Sequence, residues 1–110
     1  MCIFCSLDKS IIIAENDLAC AIPDKFPKTK GHTLVIPKRH SQNFFHLTNE
    51  ELITIKDLLT EMEKKLSTED PSIKGFNILA NVNEIAGQSI LHTHIHLIPR
   101  REDDGLNLMG

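Results

Sequence analysis

The chain has 110 residues and a net charge of −3, and charged residues make up 25% of it. This length suits one domain built on a single core. Basic runs, Trp and Tyr are all missing, which argues against a nucleic-acid-binding protein, and no apolar run approaches the ~20 residues of a membrane span. We therefore expect a single domain over residues 1–110 that binds neither nucleic acid nor a membrane.

The first residues, Met1-Cys2-Ile3-Phe4-Cys5, lack the charged and apolar regions of a secretory signal peptide. We expect a cytoplasmic protein, in which the three cysteines are thiols or metal ligands rather than a disulfide framework. The spacing of Cys2 and Cys5 is that of one half of a zinc clip, and redox proteins also use it. The redox interpretation needs the pair to follow a strand at the start of a helix, and that pattern is missing here.

Two apolar runs, residues 11–15 and 18–22, lie on either side of Asn16-Asp17 and predict a β-hairpin. A loop follows them. Residues 31–37 then predict a third strand, which ends at its proline. His40 comes just after this strand.

The segment from Thr48 to Glu51 has the spacing of a capping box, in which the two side chains satisfy each other's backbone N–H groups. Apolar residues then recur at helical spacing, so the sequence predicts one long helix over residues 49–66. We interpret its stripe as core rather than as part of a cofactor site. The stripe consists of Leu52, Ile55, Leu59, Met62 and Leu66.

Residues 75–82 predict a fourth strand, and residues 83–89 a loop. Strands outnumber helices and mostly neighbour one another along the chain. The expected fold is therefore an α+β domain, with an antiparallel sheet of about five strands and one long helix packed on it. One face of the fourth strand is predicted to carry Phe76, Ile78, Ala80 and Val82.

The fifth strand is predicted over residues 91–99, where histidines alternate with Thr, Ile and Leu. Successive side chains of a strand point to opposite faces, so His92, His94 and His96 are expected on one face. The opposite face is apolar and can pack on a core. Three histidines in register are hard to explain by packing, and they predict a chemical site.

Two kinds of chemistry fit this row. Three histidines and a water could hold a hydrolytic zinc ion. Alternatively, a neutral imidazole can attack phosphorus directly, while its neighbours and backbone N–H groups hold the phosphate oxygens. The preceding loop, Ala86-Gly87-Gln88-Ser89, places an amide and a hydroxyl beside the row and favours the second interpretation.

Two blocks of the sequence resemble the histidine triad (HIT) family, which is named after its His-φ-His-φ-His-φ-φ motif. These blocks are residues 87–100, GQSILHTHIHLIPR, and residues 31–40, GHTLVIPKRH. Ile3-Phe4 is similar to the beginning of the family's fold, so the match covers nearly the whole chain in order. The N-terminus resembles a nucleotide-binding, HINT-like branch with a bacterial-type CxxC pair.

The resemblance implies a nucleotidyl hydrolase or transferase that forms a nucleotidyl-histidine intermediate. By the family pattern, His94 is the nucleophile and His96 holds the phosphate being transferred. Ser89 contacts the phosphate or the leaving group, and His32 is the fourth histidine of the active site.

The resemblance also implies the substrate contacts. Asn81 lies near the phosphate, Gln88 sits where some branches place a glutamine on the phosphates, and Asp24 binds the ribose hydroxyls. Lys25 departs from the pattern, because the adenosine-binding branch often has an apolar residue there. The positions that sandwich the base are Ile3, Phe4, Leu7 and Ile22.

A structural zinc ion and a homodimer are implied as well. In the branch that the N-terminus resembles, Cys2, Cys5, His40 and His92 complete a Cys2His2 zinc site. The expected substrate is a purine nucleoside phosphoramidate or a related adenylylated compound. The alternatives are a dinucleoside polyphosphate hydrolase and a nucleotide-binding protein with little turnover.

Overall fold

The computed structural model describes residues 4–107 and contains a five-stranded antiparallel sheet with one long helix packed on it. The predicted α+β fold is confirmed. Its helix and strands are β1 (Ala14–Glu15), β2 (Ala19–Pro23), β3 (Thr33–Pro37), α1 (Asn49–Glu69), β4 (Gly75–Leu79) and β5 (Ile95–Arg100). The strands lie in the sheet in the order β1-β2-β3-β5-β4. Within the described residues, no helix is long and apolar enough to cross a membrane.

The first hairpin is present, with a shorter first strand than predicted. Residues 9–11 form a single 3-10 turn, because the Asp8 carboxylate accepts the Ser10 N–H at 2.9 Å and caps it. The chain joins the sheet only afterwards, where the Ile13 N–H donates to the Ala21 carbonyl at 2.8 Å. The first apolar run is therefore half turn and half strand.

The capping box begins α1 as predicted. The Glu51 N–H donates to Thr48 Oγ1 at 3.1 Å, and the Thr48 N–H donates to Glu51 Oε1 at 2.8 Å. Ile55 and Met62 of the predicted stripe are buried, whereas Leu52 is exposed and Leu58 is buried in addition. The helix covers one face of the sheet, and the main core consists of Ile55, Leu58, Met62, Ala19, Ala21, Val35, Ile95 and Leu97.

The second face of the sheet has its own smaller core. Cys20 and Ile22 of β2 pack there with Leu34 and Ile36 of β3, under Phe4 from the N-terminal segment. The strand alternation thus sends one set of side chains to the helix and the other to this face. The residues that could carry chemistry lie on the second face.

The histidine segment differs from its prediction at both ends. Strand β5 begins at Ile95, because the Thr93 N–H donates to the Ser41 carbonyl at 2.6 Å instead of continuing the ladder. It continues past Pro99 to Arg100, since the pairing with β3 ends at Leu97 and the N–H that Pro99 lacks costs no bond on that side.

Candidate active site

The register of three strands assembles the candidate site. Ile22 pairs with Leu34, and Leu34 pairs with His96 on its other side. His32 lies two residues before Leu34 and therefore on the same face. Asp24 lies two residues after Ile22, opposite His32, and its N–H donates to the His32 carbonyl at 3.0 Å. Residues from distant parts of the sequence thus meet at one end of the sheet.

A cavity of about 290 Å³ opens beside these residues. Its wall is mainly apolar. The polar residues in it include Ser89, Asp24 and two histidines, all of which were predicted as site residues from the sequence. The predicted base-binding residues that the structure describes also line it. The cavity is bounded by Phe4, Leu7, Ile11, Ile22, Pro23, Asp24, Lys25, Phe26, Leu34, Ser89, Ile90, His94 and His96.

His94 presents an unprotonated nitrogen. Its Nδ1 lies 2.8 Å from the His92 carbonyl oxygen, which can only accept a hydrogen bond. Nδ1 must therefore carry the proton, and the neutral ring has its lone pair on Nε2. The ring lies edge-on to Phe4, with centroids 5.3 Å apart, and is 6% exposed. This packing fixes the direction of the nitrogen that could attack.

His96 has the opposite tautomer, and His32 sets it. His32 Nδ1 accepts the Lys28 N–H at 3.0 Å, so the proton of the neutral ring is on Nε2. That proton points to His96 Nδ1 at 2.9 Å, which leaves the His96 proton on its own Nε2. This Nε2 is buried and has no hydrogen-bond partner among residues 4–107. A buried donor without a partner at a cavity wall is suited to an anionic ligand.

Both rings are neutral at pH 7. Burial, with smaller effects from His94 and His32, lowers the pKa of His96 to about 4. Burial also lowers the pKa of His32, although the nearby Asp24 carboxylate acts in the opposite direction. We call Asp24, His32 and His96 the aspartate cluster; their ligand atoms all lie within 4.8 Å of one another.

A second group, the cysteine cluster, consists of Cys5, His40 and His92, whose ligand atoms also lie within 4.8 Å of one another. Cys5 Sγ is 3.2 Å from His40 Nδ1 and 3.5 Å from His92 Nδ1. His92 Nε2 lies 2.9 Å from the Pro37 carbonyl, so it carries the proton and leaves the Nδ1 lone pair directed at the cluster. A thiolate and imidazole nitrogens are ligands that suit zinc.

Arg39 braces the segment that carries His40. Its guanidinium donates to both Glu51 carboxylate oxygens, at 2.9 and 2.8 Å, and to the His40 carbonyl at 3.2 Å. This ion pair ties the cysteine cluster to the start of α1, and it lowers the pKa of Glu51. The cluster is therefore held by the sheet through Pro37 and by the helix through Arg39.

A family model described as the HIT domain matches residues 7–103. The chain belongs to the HIT family. The adenosine 5′-monophosphoramidase hnt1 of Schizosaccharomyces pombe is 37% identical to this HIT protein over an alignment of 112 positions. The alignment covers 97% of the chain and 80% of the relative.

Solved structures agree with this assignment. The crystal structure of a HIT family protein from Bacillus anthracis has a TM-score of 0.89 and 38% identity, and covers 99% of this HIT protein and 80% of that chain. A Zn-bound histidine triad family protein from Mycobacterium smegmatis has a TM-score of 0.80 and 32% identity, with coverages of 89% and 70%. The fold and the family therefore rest on sequence and structure together.

Some predicted site residues of this HIT protein lie outside the cavity. The Gln88 amide is buried and donates to the Gln42 and Ile90 carbonyls at 2.7 and 3.0 Å, while its oxygen accepts the Asn83 N–H at 2.9 Å. Asn81 Nδ2 donates to the Gly87 carbonyl at 3.3 Å. Both side chains brace the loop that carries Ser89. Cys2 and Ile3, which were predicted as a metal ligand and a base contact, lie outside the described residues.

Sequence reasoning missed several parts of the site. The Lys28 N–H and the Pro37 carbonyl fix histidine tautomers, yet main-chain groups leave no residue-type signal. Phe26, which is 80% exposed, and Ile90 both line the cavity. Their positions could have been found, since Phe26 is two residues from Asp24 and Ile90 precedes the histidine row with its period of two.

Proposed function

We propose that this HIT protein is a nucleotidyl hydrolase or transferase that acts on purine nucleoside phosphoramidates or related adenylylated substrates. The observation that carries the proposal is the pair of tautomers at one cavity wall. His94 offers a lone pair, and His96, whose ring centroid is 5.2 Å from that of His94, offers an N–H. The S. pombe relative, named as an adenosine 5′-monophosphoramidase, supports this substrate class.

The cavity supports an assignment of each part of the substrate. Phe4, Leu7 and Ile22 give an apolar wall for the purine. Ile3, the fourth residue expected to contact the base, lies outside the described residues. The Asp24 carboxylate can accept hydrogen bonds from both ribose hydroxyls. Ser89 is exposed at the cavity wall and can meet the phosphate or the leaving group. Asn81 and Gln88 act on the phosphate indirectly, because their hydrogen bonds hold the loop that carries Ser89.

The first chemical step forms a bond between His94 Nε2 and the α-phosphorus and breaks the bond from phosphorus to the leaving nitrogen. The His32–His96 pair takes up one proton from solvent with the anionic substrate, and His96 Nε2 delivers that proton so that the amine leaves neutral. Removing such a donor from a buried site typically costs catalysis several kcal/mol.

The second step releases the nucleotide. A water oxygen attacks phosphorus, the P–N bond to His94 breaks, and the proton of the water returns through His96 to solvent. The sum is substrate plus water giving nucleotide plus amine. An acceptor hydroxyl in place of water would make the same site a transferase.

The test is a turnover panel with a trapping experiment. Adenosine 5′-phosphoramidate and diadenosine polyphosphates are compared at equal concentration, and the protein is quenched in alkali, where phosphohistidine survives. We expect faster turnover of the phosphoramidate and an adenylyl adduct on His94. Preference for the polyphosphates would favour the alternative hydrolase, and binding without turnover would favour a nucleotide-binding protein.

We also propose that the cysteine cluster holds a structural zinc ion, with Cys2 as the fourth ligand. The His92 lone pair, the adjacent His40 ring and the Cys5 thiol support it, as does the Zn-bound relative from M. smegmatis. Burial lowers the pKa of His92, so its ring is neutral and able to ligate at pH 7. The cytoplasmic location predicted from the sequence would keep both cysteines reduced.

We further propose a homodimer formed through β4. This strand lies at the edge of the sheet, and Ile78 on it is 59% exposed. An adjoining groove of about 270 Å³ is largely apolar, and exposed edges of this kind invite pairing. Sedimentation of the wild type and of Ile78→Lys tests the proposal, because the variant should be a monomer at micromolar concentration if β4 is the interface. The groove is lined by Phe44, Leu52, Ile55, Lys56, Leu59, Ile78, Leu79, Ala80 and Ile95.

A further inference from the structure

Asp24 faces the histidine pair as well as the cavity. Its Oδ1 accepts the Phe26 N–H at 2.8 Å, which fixes the rotamer of the carboxylate. Its Oδ2 lies 3.3 Å from His32 Nε2 and 3.8 Å from His96 Nδ1. A carboxylate that served the ribose alone would not need this second oxygen against two imidazoles.

The proton on His32 Nε2 is donated to His96 beside the Asp24 carboxylate. His32 is 2% exposed, and the Lys28 N–H occupies its Nδ1, so the ring cannot turn its proton elsewhere. The proton is therefore donated to His96 Nδ1 at 2.9 Å, and Asp24 Oδ2 lies 3.3 Å from the same His32 nitrogen. The hydrogen-bonded histidine pair and the carboxylate beside it form one unit. This unit ends at the Nε2–H of His96, which has no hydrogen-bond partner within the described part of the chain.

This unit affects how easily the His32–His96 pair can take up the proton that His96 delivers to the leaving group. When the pair takes up a proton, one positive charge is added to two imidazoles that are largely shielded from solvent. Such a charge is costly unless an opposite charge is near. Asp24 supplies that charge, and it also opposes the reorientation of His32. Lys28 lowers the pKa of both rings, and His94 also lowers the pKa of His96, so both act in the unfavourable direction.

We propose that Asp24 is a positioning residue for the His32–His96 pair, in addition to its contact with the ribose. The inference rests on the proposed function and adds a role in turnover to a residue assigned there only to binding. It predicts that loss of the carboxylate slows the chemical step even for a substrate that has no ribose hydroxyls.

The experiment crosses one variant with two substrates. Wild type and Asp24→Asn are assayed with adenosine 5′-phosphoramidate and with its 2′,3′-dideoxy analogue, and kcat and KM are measured separately. We expect Asp24→Asn to lower kcat by roughly 10- to 100-fold on both substrates, and to raise KM only on the ribose substrate. An unchanged kcat on the dideoxy substrate would overturn the proposal and leave Asp24 as a ribose contact.

A second measurement needs no turnover, and so it separates this inference from the proposed function. The ¹⁵N imidazole spectrum of His32 reports its tautomer and its titration midpoint. We expect the Nε2–H tautomer in the wild type, and in Asp24→Asn a midpoint lower by about one pH unit, because a neighbouring negative charge has gone. The same midpoint in both proteins would show that Asp24 does not act on the pair. Asp17→Asn, which removes an exposed acid between β1 and β2, is the matched control and should change neither measurement.

Discussion

The cysteine cluster and the aspartate cluster each contain two histidines and one further ligand-type side chain, yet they are suited to different chemistry. Each brings three ligand-type groups within 4.8 Å, and each takes one histidine from the row at 92, 94 and 96. The difference lies in the main-chain partner of one ring. The Pro37 carbonyl holds the proton of His92 on Nε2, which points away from the other members of its cluster. The Lys28 N–H holds the proton of His32 on Nε2, which points towards the other members of its own cluster.

This difference decides which cluster can hold a metal. His92 directs a lone pair at Cys5 and His40, so it can ligate without losing a proton. His32 directs an N–H at its neighbours, and to ligate through that atom the neutral ring would have to become an imidazolate. The two histidines of the aspartate cluster therefore form a chain of donors that ends at His96, which lines the cavity. Proximity of ligand-type residues alone does not distinguish the two cases.

The contrast is tested most strongly at His94, which lies between the two clusters. His94→Ala removes the attacking nitrogen, and we expect kcat to fall by at least ~10⁴-fold, in the range found when a nucleophile is deleted. Nucleotide affinity, measured by calorimetry, should change little because the cavity wall is mostly kept. Bound zinc should be unchanged, since His94 belongs to neither set of ligands. Full activity in the variant, or an adduct on His96, would contradict the assignment.

The sequence predicted much of the fold because its signals are local. The capping box at Thr48 and Glu51 predicted the start of α1, apolar runs next to turn or proline signals located β2 and β3, and the period of two located β5. It placed the start of the histidine strand four residues too early, because the partner of Thr93 is Ser41, some 50 residues away in the chain. Periodicity contains no information about such a bond.

The candidate site could be predicted in part for the same reason. The spacing of His94 and His96 indicated candidate catalytic residues, and the family pattern added His32 and Asp24. What the sequence could not show is which nitrogen of each ring carries the proton. That depends on the Lys28 N–H and the Pro37 carbonyl, which only the strand register brings into place.

A smaller effect is expected at His32, where the chain of donors can be broken or partly restored. His32→Ala removes the N–H that sets the His96 tautomer, and we expect kcat to fall by roughly 100-fold. His32→Gln keeps an amide donor of similar reach and should lose only about 10-fold. Steady-state kinetics and zinc analysis are run on both variants. Equal losses in the two variants would show that the donor at this position does not matter.

The cysteine cluster should respond in stability rather than in turnover. Cys5→Ser removes one ligand, and we expect loss of the zinc found by elemental analysis. Because metal bound to the folded state adds to folding, the melting temperature should fall by roughly 8 °C, which corresponds to about 2 kcal/mol in a domain of this size. Turnover should remain measurable. Cys20→Ser, which changes a buried cysteine outside the cluster, is the matched control and should keep its zinc. Wild-type protein that binds no zinc even after refolding with it would rule the site out.

The smallest effect expected is the pH dependence of stability that the aspartate cluster produces. Burial lowers the pKa of His96 from 6.5 to about 4 in the folded protein. The folded state then binds fewer protons than the unfolded state between these values. The contribution to stability is complete above pH 6.5 and is lost as the pH falls towards 4.

His96→Gln removes this titration while keeping a polar group of similar size. Melting temperatures are measured from pH 7 to pH 4 with a chelator present, so that loss of zinc does not add to the slope. We expect the wild type to lose more than the variant over this range, by roughly 4 °C, which about 1 kcal/mol produces in such a domain. This figure lies below what the full difference in pKa implies, because the ring is 14% exposed and solvent screens its charge in part. Parallel curves for the two proteins would mean that His96 takes up its proton as easily in the folded state as in the unfolded one, and the description of it as a buried neutral donor would be wrong.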